Sequence, residues 1–298
     1  MLVLLLIVLI FAFPSTVSAS QPFKVDPKTP VRATDVEIGY KVQFKGTDKP
    51  AKPAKPASTA ATGVLGTQMG NGDKYAIVIG ISNYPGTAND LNYCDDDAME
   101  MSQTLVSKYG FSSKNIILLL DLSATREAVV DAISAVKADA KAGDEVVFFY
   151  SGHGGRGKAN DGDLEQTDEC IWLHDGVRLQ ALWDGELAAE FSGWDTNRMI
   201  FIFDSCYAGG MTDLAAPGRV IAMASTENSL SAEYSTLENG EFTYWMIEQG
   251  MRFALADRFD NLPNKSDVTI EEAWDFAKAN CKYDSATISD NFINDLLP

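Results

Sequence analysis

Two runs of apolar residues set the frame of this chain. Val146-Val147-Phe148-Phe149-Tyr150 and Met199-Ile200-Phe201-Ile202-Phe203 contain no charged position. A strand covered on both faces shows no alternation, so each run predicts an interior strand of a parallel sheet. Tyr75 to Ile81, Ile116 to Leu120 and Arg219 to Ala224 read as further strands. Between them the period changes. Asp95 to Lys108 and Thr125 to Ala140 predict helices, the second with Ala128, Val129, Ala132, Ile133 and Val136 on one face. Asp184 to Phe191 predicts a short helix. Two more close the chain, Phe242 to Ala254 and Ile270 to Cys281, the last opened by Thr269 and Glu272 as a capping box. Strands alternating with helices imply an α/β fold, a mostly parallel sheet with helices on both faces. The stretch from Gly154 to about Gly176, rich in Gly and Asp, reads as an excursion without regular structure.

The first 72 residues follow another pattern. Met1 to Phe13 is an apolar run too short to span a bilayer. With the small residues that follow Pro14, it predicts a secretory signal over residues 1–19, a retained anchor being the alternative. Val36, Ile38, Tyr40, Val42 and Phe44 alternate, which predicts one half-buried strand. The tract Lys49-Pro50-Ala51-Lys52-Pro53-Ala54-Lys55-Pro56-Ala57 cannot bury apolar surface and predicts an extended linker. Residues 20–72 are thus expected to form a pro-segment and linker, and 73–298 the main domain. The formal charge of −18, with no basic stripe, argues against nucleic acid. A secreted or extracytoplasmic location permits disulfides, and the sequence leaves the state of Cys94, Cys170 and Cys281 open.

Each frame strand delivers a chemical group at its carboxyl end, where open α/β sheets bind ligands. One run continues as Ser151-Gly152-His153-Gly154, the other as Asp204-Ser205-Cys206. Adjacent strands lie only about 4.8 Å apart, so His153 and Cys206 can share a crevice. A thiol becomes a nucleophile beside a base or a cation, which points to a cysteine peptidase or another acyl-transfer enzyme. Gly154 and the Cys206 N–H are placed to supply oxyanion donors. The other histidine, His174, reads as a turn residue before Asp175-Gly176.

These two blocks, 53 residues apart from His153 to Cys206, resemble the signature of the caspase-like cysteine peptidases, in particular the metacaspases and their prokaryotic relatives. The resemblance runs from about Asp73 to about Lys282. It implies a caspase-like three-layer sandwich and a His/Cys dyad. Tyr207 and Ala208 depart from the His and Ser that usually follow the metacaspase nucleophile. The resemblance also implies a pocket for a basic side chain before the scissile bond, lined by Cys94, Asp97, Ser151 and Asp204. It implies Ca²⁺ held by Asp168, Asp184 and Asp213, with Gly185 where the family carries a second acid. Self-cleavage is expected after Lys158, Arg219 or the linker lysines. The segment 161–172 is not an EF-hand, since Gln166 and Trp172 stand where that loop needs Gly and Glu. The expected enzyme is a secreted monomeric endopeptidase acting on peptides or proteins after Arg or Lys. It has no organic cofactor and no membrane contact for the mature domain. The alternatives are a non-catalytic caspase-like binding module and a transpeptidase-type acyl transferase.

Overall fold

Residues 30–45, 53–54, 60–162, 165–259 and 267–298 are described by the computed structural model. The predicted signal and nearly all of the Pro/Ala/Lys tract lie outside them. The elements are β1 (Ala33–Gly39), β2 (Val42–Phe44), β3 (Lys74–Gly80), α1 (Cys94–Tyr109), β4 (Ile116–Leu120) and α2 (Arg126–Asp139). Then come β5 (Glu145–Ser151), β6 (Gly154–Ala159), β7 (Asp168–His174), β8 (Leu179–Trp183), α3 (Asp184–Glu190), β9 (Arg198–Asp204) and β10 (Arg219–Met223). The chain closes with β11 (Ala232–Tyr234), β12 (Asn239–Gly240), α4 (Glu241–Thr243), which continues as a π-wound turn over Tyr244–Arg252, α5 (Ile270–Asn280) and β13 (Thr287–Asp290).

Six strands form the central sheet in the order β13-β10-β9-β5-β3-β4. All its pairings are parallel except that of β13, which was not predicted and runs antiparallel to β10 on the edge. The two frame strands are neighbours at the centre, and every residue of both is buried. Their side chains alternate between two cores. Phe148, Tyr150, Phe201 and Phe203 join α2 and α3 on one face; Val147, Phe149, Ile200 and Ile202 join α1, the π-wound segment and α5 on the other. A period of two on a wholly apolar strand therefore demands a helical layer on each side.

The helix ends follow local chemistry. Thr125 accepts from the Ala128 N–H at the start of α2. Gly110 closes α1 in the left-handed region, at φ 73°. The capping box of α5 forms as expected, Thr269 Oγ1 accepting from Glu272 N while Glu272 accepts from Thr269 N.

Three expectations change. The excursion after Gly154 folds into β6 and β7, which with β8 and β1 make a second, antiparallel sheet in the order β1-β6-β7-β8. His174 ends β7 as a buried residue and accepts from Gly176 N, rather than sitting within the turn. The predicted single strand 36–44 is two strands in two different sheets. β1 pairs antiparallel with β6 and β2 parallel with β11, with Tyr40 and Lys41 between them. Alternation alone cannot show a change of partner.

Arg126 of α2, 2% exposed, donates to Glu186 of α3 at 2.6 Å, and that carboxylate is buried too. Breaking such a pair from one side leaves an unpaired buried charge. Glu186→Ala should cost about 3–5 kcal/mol of unfolding free energy, while Arg126→Met with Glu186→Leu should cost clearly less. Urea unfolding of the three chains checks this, and a double variant no better than Glu186→Ala would contradict it.

Candidate functional site

The register Ser151↔Asp204 between β5 and β9 sets the site. Two residues past each strand end stand His153 and Cys206, 2% and 1% exposed. Gly154 packs on the Cys206 backbone so closely that a Cβ would strike the Cys206 carbonyl oxygen, so no side chain fits there. The imidazole is held from several sides. Its Nε2 faces the Asn89 carbonyl at 2.8 Å, its backbone N–H donates to Tyr84 Oη at 2.9 Å, and the Tyr84 ring lies 4.7 Å away. A carbonyl can only accept, so Nε2 carries the proton. The lone pair is then on Nδ1, which is buried and makes no hydrogen bond of good geometry among the described residues. The orienting partner of the histidine is thus a main-chain carbonyl, and no motif of side chains could announce it. The thiol accepts from Ser231 N at 3.3 Å and faces Ser231 Oγ at 3.8 Å.

The four residues assigned to a pocket for basic side chains are together and wholly buried. Cys94 and Asp97 open α1, and Ser151 and Asp204 end the two central strands. Ser151 Oγ donates to Asp97 Oδ2 at 2.6 Å, and Gly240 N donates to Asp97 Oδ1 at 3.0 Å. Asp204 divides its oxygens. Oδ2 takes the Thr243 N–H and hydroxyl at 3.0 and 2.7 Å, and Oδ1 takes the ammonium of Lys41 at 2.6 Å. Lys41 also donates to Ser151 Oγ at 3.1 Å. The cation in the pocket is therefore supplied by the segment between β1 and β2, which crosses the site. Gly39 lies against Cys206, and the Tyr40 ring meets the His153 ring edge-on at 5.0 Å. Lys41, Asn89, Ser231 and Thr243 were not singled out in the sequence, and Tyr40 was named only as one of the alternating positions. Only the alternation over 36–44 hinted at this segment.

Burial controls the charges. It works against the Lys41 ammonium, but Asp204, Cys94 and Asp97 outweigh it and hold the lysine well above its ordinary value. Burial, with Asp204 adding to it, raises Asp97 well above the usual carboxylate range. The His153 imidazole falls to about 4 and the Cys206 thiol rises to about 11, in both cases mainly through burial. With the segment in place the dyad is a neutral pair.

The acidic residues assigned to a metal separate into two groups. Asp168 and Asp184 come together with Asp161, all three buried, each offering an oxygen within 4.8 Å of the others. Asp213 is half-buried and lies outside that group; Asp161 takes its place. Asp184 is raised well above its usual range by burial, then by Asp161, Glu169 and Asp213. Of the expected self-cleavage positions, Lys158 is exposed on β6, paired with Asp35 at 2.8 Å. Arg219 instead begins β10 of the central sheet, its guanidinium donating to the carbonyls of Leu214 and Phe191. Its peptide bond is part of the sheet. The four cysteines are free.

A buried imidazole with a lowered pKa destabilises the fold in acid. The unfolded chain takes up a proton at pH 6.5 and the folded chain only near pH 4, so stability present above 6.5 is lost as pH falls from 6.5 towards 4. At about 1.4 kcal/mol per unit this amounts to at most ~3 kcal/mol. Ring-proton NMR should show His153 titrating far below 6.5, and His153→Gln should flatten that part of the stability profile. A midpoint near 6.5 in the intact chain would refute the buried neutral pair.

A family model described as caspase domain matches residues 73–276. Metacaspase-1 of Schizosaccharomyces pombe is 35% identical over 155 residues, which cover 48% of this chain and 36% of that protein. Metacaspase-4 of Arabidopsis thaliana is 37% identical over 150 residues, covering 48% and 35%. Metacaspase-6 of the same plant is 34% identical over 191 residues, covering 60% and 49%. The matches thus span between about a third and a half of these relatives. Among solved structures, protein GSU0716 from Geobacter sulfurreducens superposes with a TM-score of 0.56 at 19% identity, over 75% of this chain and 95% of that one, which speaks for the fold alone. Since the family model takes in both strand ends and the pocket between them, the chain belongs to the caspase domain family.

Proposed function

We propose that the protein is a cysteine endopeptidase that cleaves peptide bonds after Arg or Lys with the dyad His153 and Cys206. The observation that carries the basic preference is the Lys41 ammonium, seated 2.6 Å from Asp204 in a wholly buried pocket beside the thiol. A buried carboxylate is costly without a cation. When Lys41 is elsewhere, the basic side chain of a substrate supplies that cation, and an acidic side chain is rejected.

The steps follow from the groups present. Nδ1 of His153 takes the Cys206 proton, and the resulting thiolate attacks the carbonyl carbon of the peptide. The carbonyl oxygen becomes an oxyanion facing backbone N–H groups at Cys206 and Gly154. The imidazolium gives its proton to the leaving amine as the C–N bond breaks. Water then attacks the thioester with the imidazole as base, releasing the acid and the thiol. The Asn89 carbonyl keeps the tautomer, since it holds the proton on Nε2. Keeping both dyad members in working order favours this reading over a non-catalytic module.

Full-length chain carrying Lys41→Ala, which empties the pocket, is the enzyme for the decisive assay. It should hydrolyse fluorogenic peptides ending in Arg or Lys and leave those ending in Asp intact. Cys206→Ala or His153→Ala should abolish turnover, and the double variant should be little worse than either, because the two act as a unit. Asp204→Asn should lower kcat/KM on Arg and Lys peptides by about 2–5 kcal/mol in transition-state terms. Preference for Asp would overturn the pocket assignment.

The acidic group beside β7 supports a second element of the proposal. Asp161, Asp168 and Asp184 offer oxygens close enough to bind one hard cation, and a divalent ion would offset the burial and the mutual repulsion that together raise Asp184. We assign them to Ca²⁺, with backbone carbonyls and water completing the six to eight oxygens it takes. When bound it supplies fixed positive charge beside the β6–β7 hairpin and takes no part in bond making. Calorimetric titration of Ca²⁺ into chelator-treated chain should show a site that Asp184→Asn weakens about tenfold or more. No binding up to roughly 10 mM, beyond the weak end of known extracellular sites, would remove calcium.

A further inference from the structure

In a cleavable complex, the residue that fills the specificity pocket is also the one whose carbonyl carbon meets the nucleophile. That coincidence is how a pocket selects a bond. Across Cys206 the two roles fall on different residues. Lys41 fills the pocket, while Gly39 lies against the Cys206 side chain, where even a Cβ would come within 2.5 Å of Cys206 Cβ and 2.7 Å of the Tyr207 ring. The amide nitrogen that would leave if the chain were cut after Lys41 belongs to Val42. It donates to the Ser231 carbonyl at 2.9 Å, and the chain continues into β2 alongside β11.

The register is pinned on both sides of the thiol. Beyond Lys41, β2 pairs residue by residue with Ala232, Glu233 and Tyr234. Before Gly39, β1 pairs with β6, Gly39 opposite Gly154 and Ile38 opposite Gly155. There the Glu37 carboxylate is clasped by the groups beside the nucleophile. Tyr207 Oη donates to one oxygen at 2.8 Å, and Arg156 Nε and Nη2 to the other, both at 3.0 Å. The Arg156 guanidinium also lies over the Tyr207 ring at 4.5 Å. Glu37 is 51% exposed, so this pair fixes position more than it adds stability. The buried ammonium supplies the strength. A slip of two residues, to bring the Lys41 carbonyl to the thiol, would withdraw that ammonium from Asp204 and break both ladders.

We propose that the groove across Cys206 is also a receptor for an extended peptide that it holds without cutting. Its ligand has an acidic residue two before, and a lysine two after, a glycine that sits on the thiol, and residues 37–41 are the resident occupant. The proposal rests on the pocket assignment above and adds to it a second, non-productive way of filling the same pocket. Tyr207, where the family usually has His, is the residue that reads the acid. The resident segment keeps the dyad covered, so it acts as an inhibitor rather than a self-cleavage site, and Lys41–Val42 is a bond the enzyme spares.

The test uses full-length chain and two readouts. Mass spectrometry follows iodoacetamide alkylation of Cys206. Gly39→Val, which drives a side chain into Cys206 and Tyr207, and Lys41→Met, which removes the cation, should each speed alkylation about tenfold or more. A synthetic peptide of residues 33–45 added to the Gly39→Val chain should restore slow alkylation and be recovered whole; the same peptide with valine for the glycine should do neither. Hydrolysis of an Arg peptide should rise in both variants while Lys41–Val42 stays intact in the parent chain. Cleavage of the added peptide after its lysine, or alkylation unchanged in both variants, overturns the proposal. Fast alkylation without hydrolysis of any peptide would leave the receptor standing and remove the peptidase reading; hydrolysis with unchanged alkylation would do the reverse.

Discussion

An aspartate at the end of a fully buried strand needs a counter-charge, and much of the site is arranged around that need at Asp204. One oxygen is satisfied by the start of α4, through the N–H and hydroxyl of Thr243. The other takes the Lys41 ammonium, its only partner among the described residues. Breaking such a pair from one side costs several kcal/mol, so the chain before the main domain cannot wander. It must cross the catalytic strand ends at the height of the pocket. That single ion pair separates β1 from β2, places Gly39 on the thiol, and makes Tyr40 cover the imidazole.

The scaffold holds those strand ends rigidly because it has little freedom of its own. β5 and β9 are sealed between two helical layers, with aromatic and branched side chains alternating into both cores. Close-packed interiors transmit small displacements rather than absorb them. Ser151 and Asp204 therefore stay in register, and the two chemical groups beyond them inherit that precision. The second sheet has the opposite role. Its edge at β6 is open to one more strand, and β1 takes it. An unpaired edge is a template for pairing, so the same feature that admits a resident strand can admit another.

The state of the dyad follows from what covers it. Reactive thiols are found in partly exposed, electropositive surroundings, whereas buried ones are inert. Cys206 has the Lys41 charge nearby, which lowers its pKa, but burial outweighs that and the thiol stays protonated. His153 is neutral for the same reason. The tautomer is nevertheless set correctly by Asn89, so exposure alone, without rearranging the imidazole, would return both groups towards their ordinary range.

The sequence alone determined the five parallel strands of the central sheet, its helices and the positions of His153 and Cys206 at two strand ends. Those features rest on local rules: a short apolar run rich in branched and aromatic residues and stopped by glycine favours an interior strand, and Thr269 with Glu272 can cap a helix within one turn. The pocket residues Cys94, Asp97, Ser151 and Asp204 came from the family resemblance, not from a local rule, and the structure brings the four together. What the sequence did not contain was partnership. Alternation over 36–44 is equally consistent with one strand or with two that change sheets at Lys41. Nothing in a Gly/Asp-rich stretch distinguishes a loop from β6, where five of six residues are glycine or charged, and without β6 the short apolar run of β7 has no visible partner. Asn89 acts through its carbonyl, which every residue has. The acid group at Asp161, Asp168 and Asp184 depends on where a hairpin folds back, not on spacing. Only the tertiary structure decided these, because each is a contact between segments far apart in the chain, and its energy exists only once both are buried together.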